Sequence, residues 1–150
     1  MSRTEFFELR GRGYNILTQK PNMYGKFQAD LVLKDANEIK EAEKLSDRFG
    51  LKLHNELYAP GGNVKNVTAV KLSRKMVAEG KYPCTSIPTV DANTGAQIRD
   101  LISNDADVTL RFKVWEYSGG TDNRGNNFPG GNSFQLERVL VHEYTPYKSA

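Results

Sequence analysis

The run Asp107–Tyr117 has two faces that want different surroundings, and this constrains the fold more than any other stretch of the chain. Extended backbone sends successive side chains to opposite sides. One side then carries Val108, Leu110, Phe112 and Val114, a line of residues for burial. The other carries Thr109, Arg111, Lys113, Trp115 and Tyr117, two cations followed by two aromatics. Cations held beside flat rings on a rigid sheet suit a single strand of nucleic acid: charges meet phosphates, and rings stack on unpaired bases. The plainer reading of the same residues is a solvated outer face, with Trp115 and Tyr117 tucked under a loop.

Other segments repeat the strand pattern. Phe6–Ile16 and Tyr24–Lys34 read as strands joined by a turn at Lys20-Pro21-Asn22. The first sets Phe7, Leu9, Gly11 and Gly13 against Phe6, Glu8, Arg10, Arg12 and Tyr14, and glycines on an inner line mark a bend or bulge. The second sets Phe27, Ala29, Leu31 and Leu33 against Tyr24, Lys26, Gln28 and Asp30. Asp35–Phe49 is the one convincing helix: Asp35 or Asn37 can cap it, Ile39, Ala42, Leu45 and Phe49 line one side, and Gly50 suits the C-terminal left-handed position. Val67–Ser73 is a further strand, and residues 75–104 read as short strands and irregular chain. Ser118–Asn132 is too polar to pack and reads as a mobile hairpin loop. Ser133–Tyr144 closes the pattern with Phe134, Leu136, Leu140 and Tyr144 on one side; Arg138 and His142 share that side and are expected to be structural, at its rim. One helix among about five strands, without strand–helix alternation, argues against a doubly wound sheet. The expected fold is mainly β with one α-helix: an OB-like antiparallel five-stranded β-barrel with long loops.

A chain of 150 residues is most simply one domain, 1–150, with a flexible loop at about 118–132 and a short tail at 145–150. No run approaches the ~20 apolar residues of a membrane span, and the start of the chain lacks the apolar core of a signal peptide, so a cytoplasmic protein is expected. The single cysteine, Cys84, excludes an internal disulfide. A net charge of +3 is mild, but its distribution is not even. Five cations stand against two acids in residues 1–26, whereas Asp35–Arg48 carries five acids against three bases. Chemistry for an enzyme is thin. His54 and His142 are the only histidines, and no metal cluster, phosphate loop or nucleophile elbow can be written. A binding protein without cofactor or metal is expected.

The order of features is more specific than any one of them. F-F-E-L-R-G-R is followed by Y-G-K-F-Q-A-D-L-V-L and a charged helix, then V-K-L-S-R and P-T-V-D-A-N-T-G. I-S-N-D-A-D-V-T-L-R-F-K-V-W-E-Y, a Gly/Asn-rich loop and Q-L-E-R-V-L-V-H-E-Y complete it. From about residue 6 to residue 144 this resembles the OB-fold single-stranded DNA-binding proteins of bacteriophages, which coat unwound template during replication. The resemblance implies binding of single-stranded DNA with little sequence preference, in phage replication or recombination within the host cytoplasm. Trp115 and Tyr117, with Tyr14 or Tyr24, would stack bases. Arg10, Arg12, Lys26, Arg111, Lys113 and Lys71 would follow phosphates, and Arg124 and Phe128 would close over the strand from the loop. Many members of that group end in an acidic, aromatic-tipped tail that recruits replication partners. This chain ends Tyr144-Thr145-Pro146-Tyr147-Lys148-Ser149-Ala150 without one, so recruitment by that route is in doubt, and a homodimer is open. Two alternatives use the same residues: a structural or assembly barrel of a virion that binds a protein, and a barrel for single-stranded RNA, which only contacts to the 2′-hydroxyl would distinguish.

Overall fold

A computed structural model describes residues 3–144, apart from residues 60 and 118 and the side chains of residues 3 and 128. In chain order it contains β1 (Arg3–Leu17), β2 (Lys26–Leu33), α1 (Ala36–Phe49), β3 (His54–Leu57) and β4 (Val64–Lys75). After these come β5 (Thr89–Asp91), β6 (Ala106–Tyr117), β7 (Gly120–Thr121), β8 (Asn127–Phe128) and β9 (Gly131–Glu143). The long strands run in the order β4-β2-β1-β6-β9, antiparallel at each step, with β3 and β5 on the outer edges. A parallel contact between Ser73 of β4 and Gln135 of β9 brings the two ends together. The closure is slight, so the result is a ring of five long strands and not a regular barrel, of the OB type expected from the sequence.

The inner line of each strand makes the core. Leu9, Phe27, Ala29, Leu31, Val70, Leu72, Val108, Leu110, Phe112 and Leu136 are all buried in one cluster. At ~25 cal/mol per Å² of apolar surface, each such leucine or phenylalanine stabilises the fold by about 1.5–3 kcal/mol. β1 has partners on both sides, and at Gly11 it runs close against the backbone of β2. A methyl group at Gly11 would overlap the Val32 carbonyl oxygen, so a side chain is excluded there. The register against β2 slips between Tyr14 and Leu17, so the irregularity on β1 falls just past the glycines.

The helix closes one end of the ring. Asp35 caps it by accepting hydrogen bonds from Asn37 N–H and Glu38 N–H, and Gly50 ends it in the left-handed conformation. Ala42 and Leu45 are buried, and Phe49 meets Phe7 of β1 with ring centroids 5.5 Å apart. The polar segment after β6 forms a small hairpin, β7 to β8. Asp122 turns it by accepting from Arg124 N–H and Asn126 N–H, each at 2.9 Å. These backbone donors hold the Asp122 carboxyl below the ordinary aspartate range.

β9 departs from the sequence reading. Its register against β6 slips twice: Arg111 faces Arg138 while Phe112 faces Leu136, and Asp107 faces Glu143 while Val108 faces Val141. Glu137 and His142 are therefore bulged residues. Leu136 is inward as expected, but past the first bulge Val139 and Val141 are buried and Leu140 is only half-buried. Glu137 and Arg138 thus both reach the outer surface, and Arg138 is exposed instead of structural.

Candidate nucleic-acid interface

A groove crosses the outside of the ring where β1, β6, β9 and β4 come together. One end is lined by Phe6, Arg111, Arg138 and Glu137, and the other by Lys113, Trp115, Gln135, Lys75 and Tyr82; Arg74 and Cys84 border both. Its floor is the outer face of β6. Register places Trp115 opposite Thr4, Lys113 opposite Phe6 and Arg111 opposite Glu8. Its wall is a small hairpin between β4 and β5. There Val77 and Cys84 exchange both backbone hydrogen bonds, at 2.9 and 2.7 Å, which projects Lys81 and Tyr82 outward. Ile87 N–H donates to the Thr18 carbonyl and the buried Thr89 hydroxyl donates to that of Thr18, so the hairpin's base is fixed to the ring.

Three aromatic rings are open to solvent here. Phe6 is 52% exposed, Trp115 39% and Tyr82 75%, an unusual outlay of apolar area for one groove. The Tyr117 ring lies 5.6 Å from that of Trp115 at 44° and packs on the backbone of Gly131, so it supports the indole from one side. The Arg111 guanidinium lies over the Phe6 ring, 5.0 Å from its centroid.

The charges are more telling than the rings. Among the described residues the groove lining carries five cations (Arg74, Lys75, Arg111, Lys113 and Arg138) against one acid, Glu137. Register sets like charges directly opposite one another twice: Arg111 against Arg138, and Lys75 against Lys26. Glu8 offsets Arg111 only at 3.7 Å. Among the described residues Arg138, Lys75 and Lys26 have no acidic partner within ion-pair distance. Like charges opposed across a ladder destabilise a sheet.

Of the residues singled out in the sequence, the structure brings Trp115, Arg111 and Lys113 into this groove, with Lys26 beside Lys75 at its margin. Tyr24 sits 78% exposed on the turn before β2, where Met76 N–H binds the Gly25 carbonyl, and so near the same margin. Arg124 is exposed at the tip of the β7–β8 hairpin; the Phe128 side chain lies outside the described residues.

The remaining candidates lie elsewhere. Arg10 makes two hydrogen bonds to Asp107, at 3.0 and 2.8 Å, which hold the Asp107 carboxyl below its ordinary value and raise the guanidinium's. Arg12 donates to the Asp105 carbonyl at 3.4 Å. Tyr14 packs on Val32, Leu57 and Ala69, and its hydroxyl binds Asp105. Lys71 stands opposite Asp30, whose burial raises its carboxyl.

Five groove residues were not among the nucleic-acid contacts expected from the sequence: Phe6, Arg74, Lys75, Tyr82 and Arg138, the last expected to be structural. Phe6 alone carried a local signal, as a large ring on the charged line of β1.

An OB-type ring with an aromatic and cationic groove across its outer strands is the class that fold and site define. Among solved structures, the fold is that of gp2.5, a single-stranded DNA-binding protein encoded by bacteriophage T7 (13% identity, TM-score 0.56, covering 99% of this chain and 91% of that one). It is also that of the single-stranded DNA-binding protein from bacteriophage Enc34 (11% identity, TM-score 0.52, 97% of this chain and 85% of that one). The Enc34 protein in complex with single-stranded DNA matches as well (12% identity, TM-score 0.51, 95% and 89%). The likeness read in the sequence is thus met in the fold. No protein-family model matches the chain, and no curated protein matches it in sequence.

Proposed function

We propose that this chain is a single binding domain, without enzymatic activity, that takes up single-stranded DNA in the groove with little sequence preference. Trp115 is the central stacking surface, with Phe6 and Tyr82 on either side. Arg74, Lys75, Lys113, Arg111 and Arg138 follow the phosphates, and Lys26, Tyr24 and Arg124 extend the contact at its margins. Its setting is phage replication or recombination in the host cytoplasm. The observation that carries this reading is the opposition of like charges across the ladder, around exposed rings. Such pairs weaken the sheet in isolation, and a polyanion relieves them. The bases of a duplex are stacked on one another and shielded from Trp115, whereas those of a single strand are free to stack on it. The fold's likeness to phage proteins that bind single-stranded DNA supports the same reading.

Trp115 is the only tryptophan, so its fluorescence reports on one place. Titration with oligo-dT at two salt concentrations should quench it to saturation, more than duplex DNA does. With four phosphates neutralised, log affinity should fall against log salt with a slope near −2.8, from about −0.7 per phosphate. Absence of binding by both quenching and anisotropy would refute the proposal.

A further inference from the structure

Glu137, the one acid on the groove lining among the described residues, stands where the cations converge. Its Oε1 lies 3.0 Å from Arg74 Nη1 and 3.3 Å from Lys113 Nζ. The three side chains come from three strands and are half-buried to nearly the same depth, 23%, 22% and 26% exposed. The bulge in β9 causes this: Leu136 and Val139 point inward, and the extra residue lets Glu137 face outward next to Arg138. A single oxygen that takes a charge-assisted hydrogen bond from an arginine and an ion pair from a lysine is also what a phosphodiester offers.

We propose that Glu137 is a built-in stand-in for a backbone phosphate. In the free protein it keeps Arg74 and Lys113 side by side despite their repulsion. When a strand enters, a phosphate oxygen takes over both donors and the carboxylate turns out to solvent. The inference rests on the groove being the DNA site. It adds that the protein carries an internal competitor at the centre of that site, so binding is weaker and release faster than the cations alone would give.

Glu137→Gln keeps the shape and the acceptor oxygen and removes the charge. It should bind oligo-dT several-fold more tightly at low salt, with a salt slope close to the parent's, because the same phosphates are engaged in both complexes and only the internal competitor is lost. The gain should disappear in a Lys113→Met background and should not be matched by Glu43→Gln on the exposed side of α1. Unchanged or weaker binding by Glu137→Gln, with a melting temperature near that of the parent, would overturn the proposal and leave Glu137 as a positioning residue. A gain that persists without Lys113, or that Glu43→Gln reproduces, would overturn it as a general charge effect. If the glutamine variant does not fold, Glu137→Asp, with the same charge withdrawn by one methylene, must still tighten binding, and failure to do so counts against the proposal. Lack of oligo-dT binding by the unaltered protein refutes the groove reading itself. Binding by that protein with no gain in the variant refutes only the role of Glu137.

Discussion

The outer face of β1 and β6 carries Arg10 toward the end where Gly13 faces Ala106, and Arg111 and Lys113 from its middle toward the other end, and the two halves treat their cations oppositely. At one end Arg10 is held by Asp107 through two hydrogen bonds, with Glu38 accepting from the Arg10 backbone N–H nearby. At the other, Arg111 is set against Arg138, and Arg74 and Lys113 share one carboxylate. The count of cations along a strand therefore says little. What distinguishes the ends is how many cations each carboxylate must serve. Asp107 gives both its oxygens to one arginine, and that charge is used up within the protein. One oxygen of Glu137 serves both Arg74 and Lys113, and Arg138 and Lys75 have no acidic partner among the described residues, so positive charge remains available to a ligand.

The largest effect should come from the ring at the open end. Trp115→Ala removes the central stacking surface without touching a charge, so oligo-dT affinity should fall about 5- to 150-fold, from roughly 1–3 kcal/mol per stacked base. Its salt slope should stay as it was. Equal affinity in the variant, measured by anisotropy because the fluorophore is gone, would break the assignment of this end as the site.

Neutralising a cation should separate the ends next. Lys75→Met should weaken binding and reduce the salt slope by about 0.7, one phosphate. Arg138→Gln should do the same, and should also raise the melting temperature, because it relieves an opposed like-charge pair worth about 0.2–1 kcal/mol. Lower affinity together with higher stability is expected where a residue is kept for binding and not for folding. Chemical denaturation beside the binding titration checks both; a destabilised Arg138→Gln would mean that the arginine has a structural partner after all.

How much of this the sequence disclosed depends on the range over which each feature is decided. The two faces of β6 were legible because strand alternation is a local rule and nothing interrupts it between Val108 and Tyr117. The helix was legible for the same reason: Asp35 and Gly50 mark its ends by their own chemistry. β9 was not. Its inner line follows Leu136, Val139 and Val141, and only the slipped register against β6 produces that change of phase. So Leu140, read as core, is half-buried, and Arg138, read as structural, stands in the groove. Lys75 and Tyr82 were out of reach for another reason. One is placed by pairing with β2, the other by a hairpin that depends on contacts with Thr18 and Val139, and neither partner is close in sequence. Conversely, Arg10 and Arg12 had the composition of phosphate contacts, and their engagement with Asp107 and Asp105 became visible only when β1 met β6.

The smallest effect on binding belongs to the closed end, and its signature lies in acid stability. Arg10→Gln should leave oligo-dT affinity and salt slope nearly unchanged, since the guanidinium is already engaged by Asp107. The hydrogen bond from Arg10 holds the Asp107 carboxyl below its unfolded value of about 3.9. A depressed carboxyl contributes stability that is fully present above that unfolded value and is lost as pH falls through the folded one. Melting temperature measured from pH 6 down to pH 2 should therefore decline less steeply in Asp107→Asn than in the parent. The difference should be confined to the region below about pH 4. Part of the slope must survive, because the Asp122 carboxyl is depressed too, by the backbone donors of its own turn. If Arg10→Gln instead cost as much affinity as Lys75→Met, the pairing seen in the free protein would have to open on binding, and the contrast between the two ends would collapse into one continuous cationic surface.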